Sequence, residues 1–399
     1  MTTANDSRVY YDPYDSAISA DPFPTFRRLR DEAPIYYNER YDVWALSRHA
    51  DVEKALVNWE TFSNSRSDIL EIIKGNFDLP SGVVMFEDPP THTMHRGLMS
   101  RVFTPRRMSE LEDQVREYCR ACLDPLVGAD RFDFVQDLGL RMPMRVIGML
   151  LGIPESDQPA VREMADAAIR TKKGEPMAVQ ESAIADGSMF ADYIEWRSQH
   201  PADDLMTVLL NAEFEDESGT VRKLSRDEVL SYTQVIAGAG NETTGRLIGW
   251  LGRLLGDHPD ERRALVDDPS LIPNAVEETL RFQPTGLHLA RYVLRDIEYY
   301  DTTVPAGSAI LLLVGSANRD ERRHPDPDRY DVRRDLGAHL TFGYGLHFCL
   351  GASLARLEGR VALDEVLKRF PNWEVDDDNV VVASTSTVRG FESLPVFVR

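Results

Sequence analysis

The chain has 399 residues, of which 42% are hydrophobic and 28% are charged, and its formal net charge at pH 7 is −21. This composition is typical of a globular protein and excludes a disordered chain. Nucleic-acid binders need a basic surface, so the acidic balance excludes a generic nucleic-acid binder. It also argues against binding to anionic membranes. Three cysteines cannot form a disulfide framework, which favours a reducing compartment.

The N-terminal segment Met1–Asp15 is polar and acidic, and we expect residues 1–15 to form a less ordered tail. It lacks the basic and apolar regions of a signal peptide. The apolar runs elsewhere are far shorter than the roughly 20 residues of a membrane span. A cytoplasmic protein without membrane contact is therefore expected. No repeat or long linker divides the chain, so a single domain over residues 1–399 is predicted.

Hydrophobic periodicity predicts a mainly α fold with minor β content. Near the N-terminus it predicts, in order, a helix, two strands and a second helix: Pro22–Glu32, Pro34–Asn38, Tyr41–Leu46 and His49–Asn58. Residues 90–285 are predicted to be almost wholly helical. Strands follow at 289–294, 297–300 and 308–313, then an irregular segment over 316–348, a helix from residue 350 and short strands over 380–398. An irregular stretch of this length inside a compact domain is usually functional.

One predicted helix is unusually long. Ser225 and Glu228 form a capping box at its start, and Pro259 marks its end. The helix would have about 33 residues and a length of about 48 Å. Three glycines lie in its middle: Gly238, Gly240 and Gly245. Each costs about 1 kcal/mol relative to alanine, which predicts the close approach of another group to the backbone there.

The strongest motif is the ten-residue stretch Phe342–Gly351, which reads FGYGLHFCLG. Its first two glycines allow a tight loop with positive φ angles. The loop would bring Cys349 to the start of the following helix, where the helix dipole stabilises an anion. We therefore expect a lowered pKa for the Cys349 thiol and backbone N–H groups that donate to its sulfur.

A second pattern is Glu278 and Arg281, which share one face of a helix bracketed by Pro273 and Pro284. Taken alone, this pair is more typical of a solvated surface ion pair. The CxxC pattern at Cys119–Cys122 lies in a helical stretch without a second ligand pair, and a packed helix explains it better than a metal or redox site.

Two further patterns combine polar groups on predicted helices. Glu242 and Thr243 place an acid beside an alcohol, as a proton relay requires, and a helical threonine can bond the carbonyl four residues back. The neighbouring Gly240 would let a ligand approach the backbone. His92 and Arg96 are four residues apart on a helix that follows two prolines, a spacing also found in simple surface caps.

The ten-residue motif Phe342–Gly351 resembles the haem-binding loop of the cytochrome P450 family. Six defining positions match: Phe342, Gly343, Gly345, His347, Cys349 and Gly351. The order of the other patterns along the whole chain also fits this family. The resemblance implies the cytochrome P450 fold, with a long central helix over the haem. It further implies a haem-thiolate monooxygenase that holds haem b, with Cys349 as the axial ligand of the iron.

The resemblance also implies roles for the other candidates. Four residues would contact the haem propionates: His92, Arg96, Arg291 and His347. Glu242 and Thr243 would be the catalytic pair that activates dioxygen. A buried structural network would comprise Glu278, Arg281 and Arg329. His95 lies outside the family pattern, and we expect it to be solvated. Residues 321–324 depart from the pattern, because the family usually has a proline and a phenylalanine there.

The implied partners are dioxygen, a small apolar substrate, and a ferredoxin with its ferredoxin reductase as the source of electrons; a monomer is expected. An arginine patch would dock the ferredoxin: Arg101, Arg106, Arg107, Arg356 and Arg360. The distal pocket would be lined by residues within 63–86, 164–190, 236–243, 285–290 and 385–388. Fatty acids, terpenoids, steroids and small aromatics all remain open as substrates.

Two other functions remain open from the sequence. One is a peroxygenase driven by hydrogen peroxide, which the Glu242–Thr243 pair disfavours because such enzymes tend to replace it. The other is a haem sensor or carrier without turnover.

Overall fold

The computed structural model describes residues 9–79, 82–179, 188–216 and 218–398. Within these ranges the fold is mainly α with minor β content, as predicted. The α-helices are α1 Ser16–Ala20, α2 Phe23–Glu32, α3 His49–Val57, α4 Leu70–Gly75, α5 Thr91–Ser100, α6 Pro105–Glu110, α7 Glu112–Leu123, α8 Met142–Leu151, α9 Gln158–Ile169, α10 Ala191–Gln199, α11 Leu205–Asn211, α12 Arg226–Asp257, α13 Pro259–Asp267, α14 Ile272–Phe282, α15 Val314–Ala317 and α16 Ala352–Arg369. In the same part of the chain, no helix is both long and apolar enough to cross a membrane.

The strands are short and lie mostly outside the helical core. They are β1 Ile35–Asn38, β2 Val43–Leu46, β3 Phe62–Ser63, β4 Arg131–Asp133, β5 Glu213–Glu215, β6 Val221–Lys223, β7 Leu289–Val293, β8 Ile297–Tyr299, β9 Thr302–Val304, β10 Ala309–Leu312, β11 Trp373–Val375, β12 Val381–Val382, β13 Phe391–Ser393 and β14 Pro395–Val398. The largest sheet has the order β1-β2-β10-β7-β3, in which β2 and β10 are parallel. A three-stranded sheet has the order β11-β14-β4.

Three strands within residues 90–285 were not predicted. β4 pairs with β14 near the other end of the chain, and β5 pairs with β6 in a small hairpin. A three-residue strand carries too little periodicity to be recognised, and the partner of β4 is remote in sequence. The expected loose tail is also wrong from residue 9 onward, since Tyr11 and Asp12 are buried; residues 1–8 lie outside the described ranges.

The long central helix is α12, and it runs for 32 residues. It begins with the predicted capping box, in which the Ser225 hydroxyl accepts from the Glu228 N–H and the Glu228 carboxylate accepts from the Ser225 N–H. Helices α8, α9 and α16 pack along it, together with a π-helix over Phe134–Gly139. This helix is therefore the element around which the main hydrophobic core is assembled.

The glycines of α12 serve different purposes. A Cβ at Gly240 would lie 2.4 Å from Ile147 Cδ1 of α8, and one at Gly245 would lie 2.6 Å from the Gly139 carbonyl of the π-helix. Both glycines thus permit close helix packing, so the expectation that Gly240 admits a ligand is wrong. A Cβ at Gly238 would meet nothing within 4 Å among the described residues. Gly238 is the position where the helix backbone faces open space.

A fully buried ion pair anchors the irregular segment that precedes the cysteine loop. Glu278 and Arg281 of α14 form two hydrogen bonds, of 2.7 and 2.9 Å, and neither side chain is exposed. The Arg281 guanidinium also donates to the carbonyls of Asn318 and Pro327, at 3.0 and 2.9 Å. The pair therefore satisfies backbone oxygens in a segment that has no sheet or helix to do so.

The third member of this network is Arg334, which donates to Glu278 Oε1 at 3.1 Å. The prediction of Arg329 is wrong: its side chain is 62% exposed and pairs with Asp331, and only its carbonyl faces Arg281, at 3.4 Å. The reason is a turn in which the Asp331 N–H donates to Glu278 Oε1, so that the chain points Arg329 outward and Arg334 inward.

The residues that depart from the family pattern form their own polar packing. His324 is buried, and its ring lies 5.7 Å from that of His49, with an interplanar angle of 74°. Nε2 of each ring is buried without a hydrogen-bond partner. Burial lowers the pKa of His324 to about 3, and the nearby Arg281 guanidinium acts in the same direction. An imidazole thus fills a core position that would accept an apolar ring.

We expect His324→Phe to make the protein less sensitive to acid. Because the pKa of His324 is lowered in the folded state, only the unfolded chain binds this proton between pH 6.5 and about 3. Stability is therefore lost as the pH falls through this window, by about 1.4 kcal/mol per pH unit. Between pH 7 and 5 the wild type should lose about 2 kcal/mol more than the variant. Urea unfolding at each pH measures this, with the exposed His200→Phe as control; equal pH slopes in wild type and His324→Phe would contradict it.

The network predicts that Arg334 and Arg329 differ sharply in their effect on stability. Arg334→Ala removes a hydrogen bond to a buried carboxylate and should lower the free energy of unfolding by about 1.5–3 kcal/mol. Arg329→Ala removes an exposed side chain and should change it by less than about 0.5 kcal/mol. Urea unfolding of both variants measures the difference. A larger loss in Arg329→Ala than in Arg334→Ala would restore the original prediction.

Candidate active site

The cysteine loop lies between the irregular segment and α16. Gly343 and Gly345 adopt φ angles of +70° and +75°, as the sequence predicts for a tight loop. The Cys349 N–H donates to the Phe342 carbonyl at 2.8 Å, which closes the loop. Two residues before Phe342, the Leu340 N–H donates to the Asn318 side chain at 2.7 Å. Because Arg281 binds the Asn318 carbonyl, the loop is fixed to the network around Arg281.

The surroundings of Cys349 agree only in part with the sequence prediction. Cys349 is exposed to solvent, and the backbone N–H groups of Gly351 and Ala352 donate to its sulfur. The pKa of the thiol is nevertheless raised, because desolvation outweighs these hydrogen bonds and the guanidinium groups of Arg96 and Arg356. The predicted lowering is therefore wrong. The helix α16 begins at Ala352, three residues after the cysteine, so the helix dipole acts from a greater distance than expected.

Four polar side chains converge beside Cys349 from three separate parts of the chain: His92, Arg96, Arg291 and His347. The rings of His92 and His347 lie 4.3 Å apart. Burial, together with the nearby Arg291, His92 and Arg96, lowers the pKa of His347 to about 2. Burial also lowers the pKa of Arg291, and Asp68 partly opposes this. The cluster thus concentrates positive charge and hydrogen-bond donors at one place.

These groups fit the two carboxylates of a haem. Both ring nitrogens of His92 and Nε2 of His347 are buried without a partner. Arg291 is 2% exposed, yet its one hydrogen bond to a described residue goes to the adjacent Ala290 carbonyl. Buried donors without partners cost free energy unless a ligand satisfies them. A Cβ at Gly351, beside the cysteine, would also project into open space.

Thr243 lies on the same stretch of α12 as Gly238, the glycine that faces open space. Its hydroxyl donates to the Ala239 carbonyl at 2.8 Å, as the sequence predicts for a helical threonine. The Ala239 carbonyl also accepts a hydrogen bond within the helix. The Thr243 hydroxyl can therefore rotate away from it at low cost. Thr243 therefore presents a proton that can be redirected at the helix surface.

Glu242 is buried and does not bond to Thr243. Its carboxylate accepts from Arg246 at 2.7 Å, and Arg246 also donates to the Phe391 carbonyl of β13. Burial raises the pKa of Glu242, and Arg246 partly opposes the shift. Asp166 of α9 lies near enough to raise it further. The structure thus places the Glu242 carboxylate on the α9 side of the helix, next to Arg246. The i+4 spacing of these two residues indicates an ion pair, but Arg246 was not among the predicted site residues.

His95 is buried, contrary to the prediction that it is solvated. Its Nδ1 lies 2.9 Å from both carboxylate oxygens of Glu87, and its Nε2 lies 3.8 Å from Glu228 at the start of α12. The residue thus connects α5, which carries His92 and Arg96, to the central helix. An i+3 spacing from His92 gave no indication of this, because Glu87 approaches from outside the helix.

Comparison with known proteins identifies the family of this chain. The family model described as "Cytochrome P450" matches residues 183–393. Cytochrome P450 130 of Mycobacterium tuberculosis (strain ATCC 25618 / H37Rv) is 39% identical over 389 residues, which cover 94% of each chain. Vitamin D(3) 25-hydroxylase of Pseudonocardia autotrophica is 34% identical over 97% of this chain and 96% of its own length.

Solved structures share the whole fold. The cytochrome P450 CYP109Q5 from Chondromyces apiculatus superposes with a TM-score of 0.84 at 32% identity, over 97% of this chain and 98% of its own. CYP109E1 from Bacillus megaterium, solved in complex with testosterone, has a TM-score of 0.85 at 26% identity, over 96% and 99%. The chain therefore belongs to the cytochrome P450 family, whose cofactor is haem, and it is a cytochrome P450 monooxygenase.

Proposed function

We propose that this protein binds haem b through Cys349 and inserts one oxygen atom of dioxygen into a small apolar substrate. The observation that carries the proposal is the convergence of the Cys349 loop with the buried, unpartnered donors of His92 and His347. Haem with a thiolate ligand supplies cleavage of the O–O bond. The protein supplies the ligand, the orientation of the substrate and the protons.

Each of the other site residues has a role that its contacts support. His92, Arg96, Arg291 and His347 hold the propionates, because their charge and free donors match two carboxylates. Phe342, Gly343 and Gly351 shape the loop that presents the sulfur. Glu278 and Arg281, with Arg334, hold the segment that leads into this loop.

Thr243 and Glu242 divide the handling of protons. Thr243 Oγ1 delivers its proton from the surface of α12 into the pocket. Glu242 passes on the next proton, and the burial that raises the pKa of its carboxyl group favours this transfer. The absence of a direct hydrogen bond between them means that water must connect the two groups. This pair supports a monooxygenase over a peroxygenase.

The electron donor in this proposal is a ferredoxin, reduced by a separate reductase. Helix α6 packs on α16, which brings its arginines near those that follow Cys349. Arg101 and Arg107 are exposed and form no ion pair with a described residue. Arg106 and Arg356 pair with Glu110 and Glu277, so part of the predicted patch is neutralised. The remaining positive charge suits an acidic partner.

The ligation is tested by the Soret band of the reduced protein with carbon monoxide. The wild type should show the red-shifted band specific to a thiolate ligand, because Cys349 is the exposed cysteine while Cys119 and Cys122 are buried. Cys349→His should shift the band to the position seen in globins. Cys122→Ala, which removes a buried thiol, is the control and should keep the red-shifted band. Retention of that band in Cys349→His would disprove the assignment.

The proton path is tested by the yield of product per NADH consumed. Thr243→Ala removes the redirectable hydroxyl, so it should release more reducing power as peroxide while substrate affinity is kept. We expect a product yield at least tenfold lower. Thr244→Ala removes the neighbouring buried hydroxyl and should leave the yield unchanged. Glu242→Gln should slow turnover and alter the solvent isotope effect. Equal yields in wild type and Thr243→Ala would place the path elsewhere.

A further inference from the structure

A cluster of charged side chains lies where α5 meets the start of α12, and the proposed function does not use it. Its members are His95 of α5, Glu87 of the loop before α5, Glu228 of α12 and Arg222 of β6. The side chains of His95, Glu87 and Glu228 are each at most 10% exposed. Charged groups at this depth are costly unless other charges and hydrogen bonds replace the lost water. The contacts within the cluster therefore decide how its members are held.

The His95 ring is fixed through both of its nitrogens and by two aromatic neighbours. Nδ1 lies 2.9 Å from both carboxylate oxygens of Glu87, and Nε2 lies 3.8 Å from Glu228 Oε1, which is an ion-pair distance. Phe214 and Tyr232 meet the ring edge to face, with centroids 5.5 and 5.9 Å away. The ring therefore cannot turn without breaking one of these contacts.

Both carboxylates are themselves held by other parts of the chain. Glu87 Oε1 accepts from the Gly82 N–H at 3.0 Å. Glu228 accepts two hydrogen bonds from Arg222, at 2.8 and 2.9 Å, in addition to those of the capping box. Burial raises the pKa of Glu228, but these hydrogen bonds outweigh it and leave the pKa lowered, so the carboxylate is charged. His95 thus lies between two fixed carboxylates that come from outside α5.

Helix α5 has few other supports near this end. The described elements with the most extensive contacts to α5 are the 3₁₀ turn Val84–Phe86 and strand β5, both of which are short. Both lead to His95, because Glu87 directly follows the turn and Phe214 is the middle residue of the strand. His95 therefore contributes directly to how far α5 is turned about its own axis.

The rotation of α5 decides where two of the propionate candidates point. His92 precedes His95 by three residues and Arg96 follows it by one, so they project from the helix at about 60° and 100° from His95. A turn of the helix by about 20° would move atoms at its outer radius of about 5–6 Å by about 2 Å. A binding group must be held to within about 0.5 Å, and the residues behind it provide this precision. The position of His95 therefore matters for the direction of both His92 and Arg96.

We propose that His95 is a positioning residue for the haem, which acts by directing His92 and Arg96 to the propionates. Its ion pairs with Glu87 and Glu228, here called the His95 clamp, set the orientation of α5. The inference rests on the proposed function, because it requires that His92 and Arg96 bind the propionates. It gives a role to a residue that the family resemblance does not cover.

The test measures haem loss from the haem-loaded protein to an excess of apomyoglobin. His95→Gln and Glu87→Gln each break the His95 clamp and should each speed haem loss at least fivefold, because His92 and Arg96 are then directed less precisely. The double variant should be at most twofold faster than the faster single variant, since both changes act through one contact. In resonance Raman spectra the propionate bending bands should shift in these variants, while the thiolate Soret band with carbon monoxide stays in place.

Leu98→Ala is the matched control, because it removes a buried side chain from the same helix and leaves the His95 clamp intact. It should lower the urea midpoint at least as much as Glu87→Gln does, yet keep haem loss within twofold of the wild type and the propionate bands unchanged. If His95→Gln does not fold, Glu87→Gln and Leu98→Ala still provide the comparison.

Equal acceleration of haem loss, or an equal band shift, in Leu98→Ala would show a merely stabilising role and overturn the inference. So would haem loss within twofold of the wild type in Glu87→Gln, or effects of the two single changes that multiply fully in the double variant. A wild type that lacks the thiolate band with carbon monoxide would instead contradict the proposed function, whatever the haem-loss rates of the variants.

Discussion

The buried ion pair between Glu278 and Arg281 is the interaction on which the active site depends. The segment from residue 318 to the cysteine loop has little regular structure, so its carbonyl groups need partners from elsewhere. Arg281 satisfies two of them, and the Thr341 hydroxyl donates to the Leu280 carbonyl of the same helix at 2.7 Å. Asn318 completes the connection by accepting from Leu340 N–H. Helix α14 thus fixes the position of a sulfur that lies on a different element.

The arginine and histidine cluster beside Cys349 shows a related balance of charge. The protein brings His92, Arg96, Arg291 and His347 together at the cost of lowered pKa values for both histidines and for the two arginines. Such an arrangement is unfavourable on its own and becomes favourable when an anion joins it. The stability of the folded chain and the retention of haem are for this reason coupled.

The sequence predicted the parts of the structure that depend on local pattern. The capping box at Ser225, the Thr243 hydrogen bond to Ala239 and the positive φ angles of Gly343 and Gly345 each follow from residues close together in the chain. The ten-residue motif and the order of the other patterns identified the family, and the candidate site residues follow from that resemblance.

The errors share one cause, which is a contact with a residue remote in sequence. Glu87 buries His95 from outside its helix, and Ile147 occupies the space beside Gly240. Arg334 was missed because a turn, and not the motif, decides which arginine faces Glu278. For Cys349, desolvation by the surrounding fold outweighs the hydrogen bonds that the loop alone would indicate. Periodicity and spacing contain no information on any of these neighbours.

The pairing of β4 with β14 has a consequence for the order of folding. The Ser393 hydroxyl donates to Asp133, and these two residues are 260 positions apart. β14 lies between β4 and β11, so neither outer strand has its sheet partner until the last part of the described chain is present. Contacts of such long range form slowly, and an unpaired strand edge invites pairing with another molecule. During synthesis the π-helix that follows β4, against which α12 packs, therefore remains incompletely packed until β14 is present. In that state the chain is vulnerable to aggregation.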